Sequence, residues 1–145
     1  MAAIRKATAV WEHDLLKGHG SVKGDSGAAT ALPVTWAART EQPGGMTSPE
    51  ELLAAAHASC YAMAFSGALG RAQHPPEKLT VTAAATFDKV NDAWKVTTMD
   101  LDVKGVVPGL DAAKFEEIAK AAEKGCPISN AIRGNVEIRV HASLA

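Results

Sequence analysis

Two thiols, Cys60 and Cys126, are the residues of this chain best suited to chemistry, and they sit in different local settings. Cys60 follows Ala54-Ala55-Ala56-His57-Ala58-Ser59 inside a long apolar stretch. Cys126 follows Gly125 and precedes Pro127. Proline at a first helical position puts Cys126 at the N-cap of a short helix, where unpaired N–H groups favour a thiolate. One thiol on a rigid helix and one at a helix start match an attacking and a resolving pair. Both also fit bland roles: a buried cysteine fills space as a small hydrophobe, and a turn cysteine faces solvent without consequence. Reactivity needs a lowered pKa, from a nearby cation or a helix terminus. His57 lies three residues before Cys60 and faces the same side. A Cys/His nucleophile is therefore open, beside a packing or hydrogen-bonding role for His57, and no third orienting group is evident. His13, His19, His57, His74 and His141 show no C-x-x-C or H-x-x-x-H spacing with or without the cysteines, so no metal is expected.

The elements that must carry these residues are legible from patterning. Ile4 to Glu12 reads as a strand, and a short one near Gly20 to Val22 follows a polar loop. Ala28 to Ala37 reads as a strand broken by Pro33, and Pro43-Gly44-Gly45 is a turn. Thr47-Ser48-Pro49-Glu50-Glu51 opens a helix, with a hydroxyl at the N-cap, proline in the first turn and two acids behind it. That helix is expected to run to about Leu69 and is apolar or small on nearly every face, which demands burial on all sides. Lys78 to Val90 and Trp94 to Val107 read as strands joined by an Asn91-Asp92 turn. In the second, Val96, Thr98, Asp100 and Asp102 oppose Thr97, Met99, Leu101 and Val103, so one face is more polar. Asp111 to Lys124 is an amphipathic helix with Phe115, Ile118, Ala119 and Ala122 on one side. Pro127 to Arg133 is a short helix, and Asn135 to His141 a closing strand.

Strands, long helix, strands, helices and strand in that order give an α+β fold, read as a single domain over 1–145. One small sheet covers only one face of the long helix, so a homodimer is expected to cover the other. Hydrophobic residues make up 47% and charged ones 21%, a mix that supports a globular core. The formal charge of -1, with scattered Lys and Arg, points to no nucleic-acid or membrane partner. The start lacks the apolar run of a secretory signal, and the stretch Leu52 to Leu69 reads as a core helix and not a membrane span. A cytoplasmic protein is expected, where two cysteines are reactive or inert thiols more often than a structural staple.

The run from Thr47 to Cys60, TSPEELLAAAHASC, resembles the signature of the OsmC/Ohr family, and Gly125-Cys126-Pro127-Ile128-Ser129-Asn130-Ala131 resembles its second cysteine motif. The Ala-Ala-Ala-His-Ala stretch and the position of Arg39 are closer to the OsmC branch than to the Ohr branch. The resemblance implies an intertwined α+β homodimer, with antiparallel sheets around two long central helices, that reduces organic hydroperoxides. Cys60 would be the peroxidatic thiol and Cys126 the resolving one. Arg39 and Glu50 would hold the thiolate. A dithiol, for some members a lipoylated protein, would be the reductant, with no metal or organic cofactor.

Physical chemistry sharpens those roles. A guanidinium at the sulfur favours the thiolate and binds peroxide oxygens, and a carboxylate orients it by a bidentate pair. On their own, Arg39 reads as a surface charge at a strand end and Glu50 as a first-turn acid. Glu50 and Cys60 are ten residues apart, about 15 Å along one helix, which a Glu side chain does not span. Either the helix breaks between them or Arg39 and Glu50 come from a partner subunit; two antiparallel central helices favour the partner. Met46, Leu53, Tyr61, Met63 and Phe65 near the active helix would favour alkyl or aryl hydroperoxides over hydrogen peroxide, by about 0.8 kcal/mol per buried CH₂. Two alternatives remain: a Cys-dependent hydrolase using Cys60 and His57, though no oxyanion motif is visible, and a non-catalytic dimeric binding module with inert thiols.

Overall fold

Alternating strands and well-signalled turns build two three-stranded sheets in the computed structural model, which describes all of residues 1–145. The chain divides into two units, Met1–Leu52 and Leu53–Ala145.

In the first unit, β1 (Ala7–Glu12), β2 (His19–Gly24) and β3 (Leu32–Val34) pair antiparallel in that order. The strand predicted over Ala28 to Ala37 is shorter, because Thr35 stops it. In extended conformation, Thr35 accepts the Ala38 N–H at 3.0 Å through its side-chain oxygen and caps a five-residue helix, α1 (Trp36–Thr40). Arg39 therefore lies on a helix and not at a strand end. Pro43-Gly44-Gly45 turns as expected, with positive φ at both glycines. Ala38 is the only buried hydrophobic residue of this unit, while Ile4, Val10, Trp11, Leu15 and Leu16 are exposed.

The long helix α2 (Pro49–Arg71) starts where the capping signal places it: Ser48 Oγ accepts the Glu51 N–H at 3.1 Å, with Pro49 at the first helical position. Its burial is one-sided and not all-round. His57, Tyr61, Phe65 and Leu69, one turn apart, are each 0% exposed, whereas Met63 is 70% exposed. With a mean hydropathy of 1.4 over its most apolar window, α2 is long and apolar enough to cross a bilayer. Tyr61, Phe65 and Leu69 on its buried side join the hydrophobic core of the second unit.

The second unit holds the core. β4 (Lys78–Val90) and β5 (Ala93–Val106) form an antiparallel hairpin. Asn91 at φ 50° and Asp92 at φ 63° supply the left-handed pair that a tight two-residue turn needs. The ladder steps from Thr86↔Thr98 to Phe87↔Val96, leaving Thr97 as the extra residue of a bulge. Beyond the bulge, Met99, Leu101 and Val103 point inward, as the alternation predicts. Helix α3 (Ala112–Gly125) is capped by Asp111, whose side chain accepts the Lys114 N–H at 2.9 Å. It buries Phe115, Ile118, Ala119 and Ala122. A short α4 (Pro127–Ile132) leads to β6 (Glu137–Leu144), which pairs with β5 in parallel. The sheets are thus antiparallel except for β6, because the α3–α4 crossover returns the chain in the direction of β5.

Phe115 packs on Phe65 with ring centroids 5.0 Å apart and lies against the bare backbone of Gly105. A methyl at Gly105 would stand 2.5 Å from Phe115 Cζ. Both partners are held, so Gly105→Ala should destabilise the protein by about 1–3 kcal/mol through overpacking. Urea unfolding reads this directly, and an unchanged midpoint would show that the Phe115 ring can yield.

Candidate active site

Both cysteines belong to the second unit, and its two helical segments bring them together. Cys60 lies mid-way along α2, half-buried. Cys126 is at once the C-cap of α3 and the N-cap of α4, and is 0% exposed. The Cys60 thiol neighbours the Cys126 side chain and the Ile128 backbone N–H, the two groups that act on it.

The N-terminal N–H groups of α4 are thus used differently from the sequence expectation. Cys126 makes no side-chain capping bond at its own helix. Instead the Ile128 N–H, an orphan donor of the first turn, is turned on Cys60. Within one chain that donor does not prevail. Burial pushes the Cys60 thiol up, the Ile128 bond pulls it down, and the neighbouring Cys126 thiol adds to the rise. No cation is among the groups acting on Cys60, and the net direction of its shift is upward, the opposite of what a reactive thiol requires.

Cys126 is equally unlike a solvent-facing turn residue. Its N–H reaches the Glu123 carbonyl at 3.1 Å, and its carbonyl accepts the Asn130 N–H at 3.0 Å. Two brackets flank it. Arg133 Nη2 donates to Glu123 Oε1 at 2.7 Å and to the Glu123 carbonyl at 3.5 Å, tying the end of α4 to the end of α3. Ser129 Oγ lies 2.7 Å from His57 Nε2, joining α4 to α2. His57 and Ser129 are fully buried, and Glu123 nearly so. Burial lowers the His57 pKa against the opposing pull of Glu123, so the ring is neutral at physiological pH. Tyr61 packs beside this group and donates its hydroxyl to the Ala119 carbonyl at 2.8 Å, with its own ionisation pushed far upward by burial.

Cys60 opens onto a cleft of about 550 Å³. Its walls are Met63, Ala64, Ala68, Ala122 and Pro127, with Arg71 the one charged side chain in the lining. Of the five apolar residues expected around the thiol, only Met63 lines this cleft. Tyr61 and Phe65 point into the core from the opposite face of α2, and Leu53 packs against that core. The missing walls come from α3 and the Gly125–Pro127 turn, which are remote in sequence.

Arg39 and Glu50 meet in the first unit, and the bidentate geometry is present. Arg39 Nε lies 3.1 Å from both Glu50 carboxylate oxygens, and Nη2 lies 2.7 Å from Oε1. Glu50 is buried, and Arg39 packs over the Trp36 ring at 5.8 Å. The guanidinium borders a cavity of about 310 Å³ walled by Trp11, Leu15, Val34, Trp36 and Pro49. A cation beside apolar walls suits a ligand with one polar oxygen end and a hydrocarbon body.

Ser129, Glu123, Arg133 and Ile128 are the site residues that the sequence left unassigned. Ser129 and Ile128 lie within the second cysteine motif. Glu123 is on the flank of α3 next to its apolar row, an acid at a position where the helical repeat asks for burial.

Residues 42–141 match the family described as OsmC-like protein. Peroxiredoxin OsmC of Escherichia coli (strain K12) is 37% identical over 95% of this chain and 96% of its own length. The organic hydroperoxide resistance protein-like protein of Staphylococcus aureus (strain MSSA476) is 30% identical over 79% of this chain and 81% of its own. Among solved structures, an organic hydroperoxide resistance protein OsmC from Legionella pneumophila superposes with a TM-score of 0.77 at 25% identity, over 98% of this chain and 99% of that one.

Proposed function

This chain belongs to the OsmC-like family, and from that premise we propose that it is a thiol peroxidase that reduces organic hydroperoxides through Cys60 and Cys126. Relatives named peroxiredoxin and organic hydroperoxide resistance protein support a peroxidase-type role. The observation that carries the cysteine assignment is the juxtaposition of the two thiols, with Cys60 at an open cleft and Cys126 buried beside it.

The Cys60 thiolate attacks the outer peroxide oxygen. The S–O bond forms, the O–O bond breaks, and the alcohol leaves with a proton, so that Cys60 becomes a sulfenic acid. The Cys126 sulfur then displaces that hydroxyl as water, and the two residues end as a disulfide. A dithiol, of the type carried by a lipoylated protein, reduces the disulfide by exchange and restores both thiols. The cytoplasm, a reducing compartment, suits that cycle.

A homodimer completes the site. Cys60 gains no cation within its own protomer, and ten residues of unbroken α2 separate it from Glu50. The first unit has one buried hydrophobic residue and six large exposed ones, a surface that association would cover. In the dimer the partner subunit's Arg39, held by the partner's Glu50, faces Cys60. It stabilises the thiolate and binds the peroxide oxygens, while the Trp11 and Trp36 cavity receives the organic group. Both units then act as one OsmC-like domain.

The apolar walls set the substrate. Cumene hydroperoxide should be reduced at least about 100-fold faster than hydrogen peroxide in kcat/KM, since burial of only four carbon equivalents supplies roughly 3 kcal/mol. A coupled dithiol-oxidation assay with both peroxides measures this. Equal rates, or a preference for hydrogen peroxide, would contradict an organic hydroperoxide as substrate.

A further inference from the structure

Besides the Ile128 N–H that faces Cys60, two side-chain contacts join α2 to the start of α4, and they are spaced alike on both helices. Cys60 meets Cys126. Three residues back on α2, His57 meets Ser129, which is three residues ahead on α4. Residues three apart on a helix share a face, so the two contacts are successive rungs between helices running in opposite directions. The second rung contains no sulfur and persists whatever the oxidation state of Cys60. His57 Nδ1 has no hydrogen-bond partner, so Ser129 is the sole polar anchor of a ring that is 0% exposed. A buried polar side chain held by one bond is retained at some loss of stability, which calls for a role.

We propose that His57 and Ser129 are a positioning pair that holds Cys126 within bonding reach of Cys60 after Cys60 is oxidised. The proposal rests on the peroxidase reading above. At the sulfenic acid stage two reactions compete. In one, Cys126 sulfur attacks Cys60 sulfur, the S–S bond forms and the hydroxyl leaves as water with the Cys126 proton. In the other, the Cys60 sulfur attacks a second hydroperoxide, a second S–O bond forms, the O–O bond breaks and alcohol leaves, giving a sulfinic acid that the dithiol does not restore. The first reaction is intramolecular, and its advantage depends on how closely the two sulfurs are held. Loosening α4 from α2 slows only that branch.

The test oxidises the reduced full-length protein with increasing excess of cumene hydroperoxide and reads disulfide against sulfinic acid by intact mass. Ser129→Ala should raise the sulfinic-to-disulfide ratio about fivefold, the rate ratio equivalent to about 1 kcal/mol for one hydrogen bond. Ser129→Thr keeps the hydroxyl and should return the ratio towards wild type. His57→Leu should match Ser129→Ala, and the double variant should add nothing further, because both remove the same contact. A Ser129→Ala ratio equal to that of a wild-type protein that does form the disulfide would overturn the positioning pair and leave the peroxidase reading standing. A wild-type protein that forms no disulfide at all would overturn both.

Discussion

Cys60→Ser is expected to abolish hydroperoxide turnover, by at least about a thousandfold, as befits removal of a nucleophile that forms a covalent intermediate. Serine keeps the size and hydrogen-bonding geometry, so the helix and the cleft are preserved. What disappears is the polarisable, ionisable sulfur that attacks an O–O bond. Cys126→Ser should behave differently. Cys60 sits at the cleft and reacts first, so this variant should consume one equivalent of hydroperoxide at close to the wild-type rate and then stop. With excess peroxide its Cys60 should climb to the sulfinic acid, because the neighbouring thiol that would trap the sulfenic acid is gone. Stopped-flow consumption of cumene hydroperoxide, followed by intact mass, separates the two variants. If Cys126→Ser lost the first oxidation and Cys60→Ser retained it, the two roles would have to be exchanged.

Arg39→Ala carries the second largest expected effect, a loss of about 100-fold or more in kcat/KM, the scale for deleting a preorganised charge at the reacting centre. Within a single protomer, burial and the neighbouring thiol push Cys60 up. Removing the guanidinium should therefore shift the pH–rate profile to higher pH, with activity partly regained under alkaline conditions. Arg39→Lys keeps the charge but loses the fork that grips Glu50, and should recover only part of the rate. The proposed trans arrangement would have its own signature. Mixed dimers of Cys60→Ser and Arg39→Ala subunits should regain about a quarter of wild-type activity, since half the dimers are mixed and each holds one complete site. With both residues acting within one chain, mixing inactive partners would restore nothing.

Much of this architecture can be read from the chain before folding. The Ser48-Pro49 cap starts α2 where it is predicted, because the cap is a local bond. Asn91-Asp92 turns because those residues tolerate positive φ, and the Phe115, Ile118, Ala119, Ala122 row follows the helical repeat. Non-local contacts are where local patterning stops. Trp36 and Ala37 have strand-like flanks, yet one hydroxyl bond from Thr35 diverts them into α1. The parallel pairing of β6 depends on the length of the α3–α4 crossover and not on its own alternation. The cysteines and the Arg39–Glu50 pair were identifiable from their motifs. Ser129 was not, because its importance lies in touching His57 across 72 positions of sequence. Nor was Glu123, which reads as one more helix acid until Arg133 folds back on it. Cys126 reads as a turn residue for the same reason: its burial is imposed by α2, which no neighbouring residue announces.

The most direct measurement oxidises the fully reduced wild-type protein with a single equivalent of cumene hydroperoxide and maps both sulfurs by mass spectrometry. The predicted result is loss of two hydrogens, with Cys60 and Cys126 linked within one chain and both thiols recovered on adding a dithiol. Two thiols still free after the hydroperoxide has been offered would contradict it.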